Sequence, residues 1–185
     1  MDAIEFTGYI PGALGRITEL HGTYYHKYWN LGLYFEAKVA TELAEFLSRF
    51  DPARDGAWFA RAGEGIVGAI FIDGSAAHTE GARLRWFIID PAYQGRGMGH
   101  RLMEEAMTFC KQHQFTRVYL TTFAGLAAAR HLYEQHGFRL RREEDGSHLT
   151  GTSALVEQVF ELTFPVDGSP STQPAHTEPG ASEPR

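Results

Sequence analysis

The chain has 185 residues, enough for one domain with a full core, and its 43% hydrophobic and 22% charged residues are those of an ordinary globular protein. A formal net charge of −6 leaves no basic footprint for nucleic acid and mildly favours a cationic substrate; no apolar run approaches the roughly 20 residues of a membrane helix. The single cysteine, Cys110, cannot form an internal disulfide, and the first residues carry no basic-then-apolar leader, so a reducing cytoplasm is the expected location.

In chain order, Ile4 to Gly8 reads as a short edge strand, and Pro11-Gly12 precedes a helix from about Leu14 to Trp29 crowded with Tyr24, Tyr25, Tyr28 and Trp29. Asn30-Leu31-Gly32 interrupts it. A second helix follows, with Ala40, Leu43, Ala44 and Leu47 as its apolar stripe, and Asp51-Pro52 marks its end. Ala57–Ala62 and Ile66–Ile72, separated by Gly63-Glu64-Gly65, read as an antiparallel hairpin. The polar loop from Ser75 to Ala82 leads to an apolar strand beginning at Leu84. The helix after the glycine turn carries Leu102, Ala106, Phe109 and Cys110 on one side, and Arg117–Phe123 returns to strand, which predicts a parallel pair flanking that helix. Leu126–His136 reads as a last helix stopped by Gly137. Two closing strands, Phe138–Arg142 and Val156–Phe164, are expected to flank a polar loop from Glu143 to Ala154. Residues 1–165 thus form the domain. Residues 166–185, rich in proline, serine and glycine, are expected to be a disordered tail because they offer too little apolar surface to offset ordering entropy.

The stretch that organises the rest is Leu84 to Met103. An apolar strand ends at Ile89-Asp90-Pro91, three glycines follow at Gly95, Gly97 and Gly99, and a helix starts directly behind them. Glycines without Cβ atoms, next to the unsatisfied N–H groups of a helix N-terminus, make a diphosphate cradle. The spacing excludes two kinds of nucleotide loop. No Lys-Ser/Thr follows the glycines, as a Walker loop requires, and Gly-x-Gly-x-Gly deep in the chain is not the Gly-x-Gly-x-x-Gly of a dinucleotide fold.

The pattern Gln94-x-x-Gly97-x-Gly99 after such a strand resembles the coenzyme A pyrophosphate motif of the GNAT superfamily of acetyl-CoA-dependent N-acetyltransferases. About 35 residues on, Leu132-Tyr133-Glu134-Gln135-His136-Gly137-Phe138 resembles that family's Leu-Tyr-x-x-x-Gly-Phe signature, and the order of elements agrees over roughly residues 4 to 164. The resemblance implies an α/β (α+β) fold: a central mixed sheet of about six to seven strands, about four helices, and a splayed parallel strand pair holding acetyl-CoA. His21-Gly22-Thr23-Tyr24-Tyr25 and Phe35 to Ala40 further resemble the acetyltransferase half of bacterial MarR–GNAT fusion proteins, whose DNA-binding half has no counterpart here.

Carried over by position, the resemblance assigns backbone groups of Phe87, Ile88 and Ile89 to the pantetheine and acetyl carbonyl. It assigns Gln94, Gly95, Arg96, Gly97, Met98, Gly99 and His100 to the pyrophosphate, with the Arg96 side chain as a phosphate partner, and adds Arg130 to the cofactor contacts. Tyr133 matches the general acid that protonates the departing thiolate. Where some members place a glutamate near the start of the central strand this chain has Arg83 and Arg85, so Glu36, Glu80 and His78 are the nearby base candidates, beside a water chain. Leu126 stands where many members carry an asparagine. Tyr24, Tyr28, Trp29 and Glu36 are candidate acceptor-site residues, the rings through cation–π contact with an ammonium. Neither the cysteine count nor the histidine spacing fits a metal site, and none is expected.

The implied function is acetyl transfer from acetyl-CoA directly to a primary amine on a small molecule, with two alternatives: acetylation of a protein or peptide, and a non-catalytic acyl-CoA sensor. A homodimer is compatible with the family.

Overall fold

The structure, a computed structural model, describes residues 3–147 and 155–165; the expected tail at 166–185 lies outside the described residues. Seven strands form one sheet in the order β1-β2-β3-β4-β5-β7-β6. In the chain they are β1 (Ile4–Thr7), β2 (Gly56–Ala62), β3 (Gly65–Asp73), β4 (Ala82–Ile89), β5 (Arg117–Phe123), β6 (Arg139–Asp145) and β7 (Val156–Thr163). Four helices, α1 (Ala13–Trp29), α2 (Leu33–Ser48), α3 (Met98–Gln112) and α4 (Ala127–Gln135), complete the mixed α/β fold. No helix among the described residues is long and apolar enough to cross a membrane.

β2 and β3 pair antiparallel through a turn at Gly63-Glu64, where Gly63 adopts a φ of 57°. β4 and β5 are the parallel pair, with α3 as their connection. The closing hairpin differs from expectation in one respect. Glu143 to Asp145 belong to β6, paired with Gln158 to Val156, and the Gln158 amide donates to the Glu143 carboxylate at 2.6 Å. A polar run reads as loop in sequence, but on an edge strand the same charges keep the open edge from recruiting another strand.

The core lies on both faces of the sheet. On one face α3 packs Leu102, Met103, Ala106 and Cys110 against Val67, Leu84, Val118 and Leu120. On the other, α1 contributes Ala13, Ile17 and Leu20, and α2 contributes Phe35, Val39, Leu43 and Phe46. The α2 face is therefore rotated from the expected Ala40/Leu43/Ala44/Leu47 stripe. Phe35 and Phe46 win the interior because their rings fill the gap above the sheet, Phe46 against Phe71 and Trp86.

One irregularity in β4 shapes everything functional. Ala69 is opposite Ile88 and Phe71 is opposite Arg85, so Ile70 alone faces both Trp86 and Phe87. Trp86 takes a φ of 43°, unusual for a bulky residue. This β-bulge reverses the alternation of the strand: Ala82 and Leu84 enter the α3-side core, whereas Trp86 and Ile88 enter the α1/α2-side core. The strained backbone is held by packing, with Trp86 set between Phe46, Phe71 and the Arg85 guanidinium, 4.0 Å from its ring centroid.

Candidate active site

The β4–β5 ladder ends at Leu84↔Leu120, although both strands continue. Beyond the bulge they diverge, and the β5-side edge of Phe87, Ile88 and Ile89 borders a cleft of about 640 Å³ instead of a neighbouring strand. The splayed pair is thus a consequence of one residue, Trp86, leaving the β region.

The glycine turn closes the far end of this cleft. Asp90 starts it: its carboxylate accepts from Ala92 N at 3.0 Å and is paired at 2.8 Å with Arg16 of α1, whose Nε also donates to Ile66 O. The Gln94 side-chain amide donates to Ile89 O at 3.2 Å, bracing the turn against the strand it leaves. Gly95 and Gly97 have φ of 75° and 77°, and a Cβ on either would meet nothing within 4 Å, so both are dictated by backbone conformation. Gly99 differs. Its backbone sits in α3, and a Cβ there would come within 3.1 Å of Leu132 and 3.4 Å of Ile89. No side chain caps the α3 N-terminus, which leaves its first N–H groups to face the cleft beside Gly97, Met98, Gly99 and His100. An uncapped helix start behind an open glycine backbone fits a pyrophosphate.

Not every expected cofactor contact lines the cleft. Gln94, Gly95, Gly97, Met98, Gly99 and His100 do. The Arg96 side chain turns away, donating to Ala92 O at 3.1 Å and lying over the Tyr93 ring. Arg130 is drawn to Glu134, Nε to Oε1 at 2.8 Å, on the exposed side of α4. His100 instead meets His136, Nδ1 to Nε2 at 3.2 Å, and burial with the neighbouring imidazole lowers the His136 pKa. Tyr24, Tyr28 and Trp29 form the opposite wall of this same cleft. Gly125, at φ 99°, is the counterpart surface on which Trp29 rests; a Cβ there would approach the ring to 2.7 Å.

A second, smaller cavity of about 140 Å³ lies under α1 and α2. Tyr25, Phe87, Thr122 and Tyr133 line both spaces and form the partition between them. Tyr133 is 5% exposed, hydrogen-bonded with Thr122, and burial raises its phenol well above the ordinary range. Tyr25 is raised the same way, first by burial and then by the adjacent Tyr133 and Tyr24.

The polar lining of the smaller cavity is His21, Lys38, Glu42, Arg83, Arg85, Thr121 and Thr122. Glu42 bridges Lys38 and Arg85. Burial pushes its carboxyl up, but those cations outweigh burial and hold it below the usual range. His21 is buried, and the carbonyl of Ile17, 2.8 Å from Nδ1, can only accept, so Nδ1 carries the proton; burial lowers the pKa to about 4. Glu36 and Glu80 line neither space. Glu36 lies along Gly22 at the α1–α2 contact on the exposed side, because Phe35 one residue earlier takes the buried position; Glu80 closes an exposed turn onto Ala76 O. His78 packs against Phe115. Cys110 is a buried core thiol pushed up to about 12, far from nucleophilic.

Sequence reasoning passed over Glu42 and Lys38 as site residues, and saw Tyr25 only as one of the first helix's aromatic cluster. Lys38 and Glu42 stand at i, i+4 beside the buried Val39 and Leu43, and two arginines interrupt an apolar central strand. Charges inside such elements need partners, and that is the signal that could have linked them.

Comparison with known proteins agrees with this geometry. The Acetyltransferase (GNAT) family matches residues 15–138. Among solved structures, yncA of Salmonella typhimurium, a candidate acetyltransferase determined with its cofactor acetyl-CoA, superposes with a TM-score of 0.71 at 13% identity, covering 93% of this chain and 100% of its own. An acetyltransferase from Streptococcus agalactiae gives 0.68 at 21% identity, covering 89% and 100%. A candidate streptothricin acetyltransferase of Bacillus anthracis, in complex with acetyl coenzyme A, gives 0.52 at 22% identity over 60% and 64%. No curated protein sequence matches. With the family matched across the glycine turn, the splayed strands and Tyr133 alike, the chain belongs to the GNAT acetyltransferase family and is an acyltransferase.

Proposed function

We propose that the protein moves an acetyl group from acetyl-CoA directly to the primary amine of a small molecule, acting in the cytoplasm. The observation that carries this reading is the partition: Tyr133 and Thr122 stand between a large cleft ending in an anion cradle and a small polar cavity, so donor and acceptor can meet at one phenol. A cavity of about 140 Å³ beneath two helices suits a small acceptor better than a peptide, which needs an open groove.

Bound acetyl-CoA would supply the acetyl thioester. Gly95 to His100 hold its phosphates through backbone N–H groups, and the edge of Phe87 to Ile89 aligns the arm towards Tyr133. Tyr24, Tyr28 and Trp29 then serve as the wall of the donor cleft, and Tyr25 is the ring that reaches the acceptor space. The amine nitrogen forms a bond to the acetyl carbon as the carbon–sulfur bond breaks. One ammonium proton leaves before attack; the nitrogen loses a second after it, and Tyr133 delivers that proton's equivalent to sulfur.

A buried phenol is a weak acid, yet the match is kept. The same dehydration that lifts Tyr133 lifts a thiol, as Cys110 illustrates in the core, so acid and leaving group rise together. For the first proton no strong base lines the acceptor cavity. His21 is too weakly basic to hold it and Glu42 is committed to two cations, so water at the cavity mouth carries it to bulk.

The test is a thiol-release assay with acetyl-CoA and a panel of amines and peptides. Release with small amines and none with peptides is expected. Coenzyme A binding without release across the panel would transfer the weight to a sensor role. The narrower resemblance to the acetyltransferase half of MarR–GNAT proteins is compatible with this reading and adds no acceptor.

A further inference from the structure

The smaller cavity has a charge that neither the acidic chain as a whole nor its aromatic wall suggests. Three cations, Lys38, Arg83 and Arg85, line it against one carboxylate, Glu42, and His21 is neutral. The pairing is uneven. Glu42 is shared between Lys38 and Arg85, and Arg85 also has Asp73 at 3.8 Å. Arg83 has no carboxylate within 4.0 Å among the described residues. Its Nη2 donates to Thr121 Oγ1 at 3.3 Å, its guanidinium carbon lies 5.9 Å from the centroid of the Tyr119 ring, and its Nε is shut from solvent without a hydrogen-bond partner. A guanidinium fixed in direction at a cavity wall, with no ion-pair partner of its own, matches a planar oxyanion. The cavity's other end is the partition formed by Tyr25, Thr122 and Tyr133.

We propose that the acceptor is a small amino acid, bound with its carboxylate on Arg83 and its amine towards Tyr133. This deepens the transferase reading and rests on it. The lining carries three cations against one carboxylate, an excess that would repel a second ammonium and that a substrate carboxylate would reduce. Glu42 spends its close ion pairs on Lys38 and Arg85 and reaches Arg83 only through space, which leaves the guanidinium without a paired carboxylate. Tyr24, Tyr28 and Trp29 line the larger cleft, whereas the cations line the smaller cavity, so on this proposal charge and not cation–π contact selects the acceptor.

The experiment compares free amino acids with their decarboxylated amines in the thiol-release assay, using wild type, Arg83→Gln and Arg83→Lys. At least one amino acid should exceed its decarboxylated counterpart in kcat/KM by about 10²-fold; Arg83→Gln should collapse that ratio through KM, and Arg83→Lys should restore part of it. A preference for diamines or decarboxylated amines, or a ratio indifferent to Arg83→Gln, overturns the proposal. If no amine releases thiol, the transferase reading fails, and the carboxylate site is judged separately by calorimetric titration of coenzyme A-loaded protein with N-acetylated amino acids. Binding weakened about 10²-fold by Arg83→Gln upholds the site; no binding, or equal binding to both proteins, refutes it.

Discussion

Replacing Tyr133 with phenylalanine removes one oxygen from the partition between the two cavities. The ring should stay where it is, because Phe87, Phe138 and Phe160 pack around it with centroids 5.9 to 6.2 Å away. The stability cost is then one hydrogen bond with Thr122, about 1 kcal/mol, offset in part because a buried hydroxyl no longer needs a partner. For a domain of this size that is a fall in Tm of no more than about 4 °C. Turnover should suffer far more. Without the phenol the thiolate departs unprotonated into a dehydrated site, and loss of a positioned general acid costs on the order of 10²-fold in kcat, about 2.7 kcal/mol. Acetyl-CoA affinity should change less than about threefold, since the hydroxyl acts on sulfur only as the thioester breaks. Steady-state thiol release and calorimetric titration of acetyl-CoA separate the two quantities. Unchanged turnover refutes the assignment, and so does a loss of turnover explained by a matching loss of affinity. Tyr25→Phe is the informative control: Tyr25 is the other buried phenol on the partition, and a larger loss there would move the acid to Tyr25.

The glycines of the cradle should behave in opposite ways. Gly97→Ala forces a φ of 77° on a residue with a Cβ and should cost about 1–2 kcal/mol, read as a Tm lower by roughly 2–8 °C. Gly99→Ala gains helix propensity of about 0.5–1 kcal/mol against a contact with the flexible tip of Leu132, so its Tm should stay within about 2 °C while acetyl-CoA affinity falls at least about tenfold. Gly125→Ala, strained at φ 99° and driven into Trp29, should lower both Tm and acetyl-CoA affinity; retention of both would mean that Trp29 is not part of the donor wall. His21 sets an acid limb. Its pKa is lowered on folding, from the ordinary 6.5 to about 4, so its contribution is complete above pH 6.5 and declines as pH falls towards 4. The interval corresponds to roughly 3 kcal/mol. Denaturant titrations at pH 7.5 and 4.5 should show that loss in wild type and a smaller one in His21→Gln; equal losses would mean that His21 titrates normally in the fold.

The order of elements and the glycine turn with its helix start are legible in the sequence. Gly95, Gly97 and Gly99 followed by a helix start can serve few purposes, and local conformation alone dictates two of them through positive φ. The same holds for Gly137 after α4, at φ 89°, and for the turn at Gly63. These signals survive in sequence because each is satisfied within a few residues of the chain. The limits of α4 and β7 and the parallel β4–β5 pair follow from the same local grammar.

The smaller cavity needed the tertiary structure. Trp86 reads as one more apolar residue in a strand, and only the packing of Phe46, Phe71 and Arg85 around it holds the bulge that reverses β4 and parts it from β5. Arg83, Arg85, Glu42 and Lys38 come from elements some 40 residues apart, so which charges cancel and which one remains is a matter of distance in space, not of spacing along the chain. Overall composition pointed to a cationic acceptor because net charge averages over the surface, whereas a cavity is governed by the few charges that line it. The sequence by itself determined the glycine turn with its helix start and the placement of Tyr133 in α4, through local backbone conformation and recurring motifs. The tertiary structure alone decided where the strands part and the sign of the charge that lines the smaller cavity, because both depend on long-range packing and on ion pairs between distant segments.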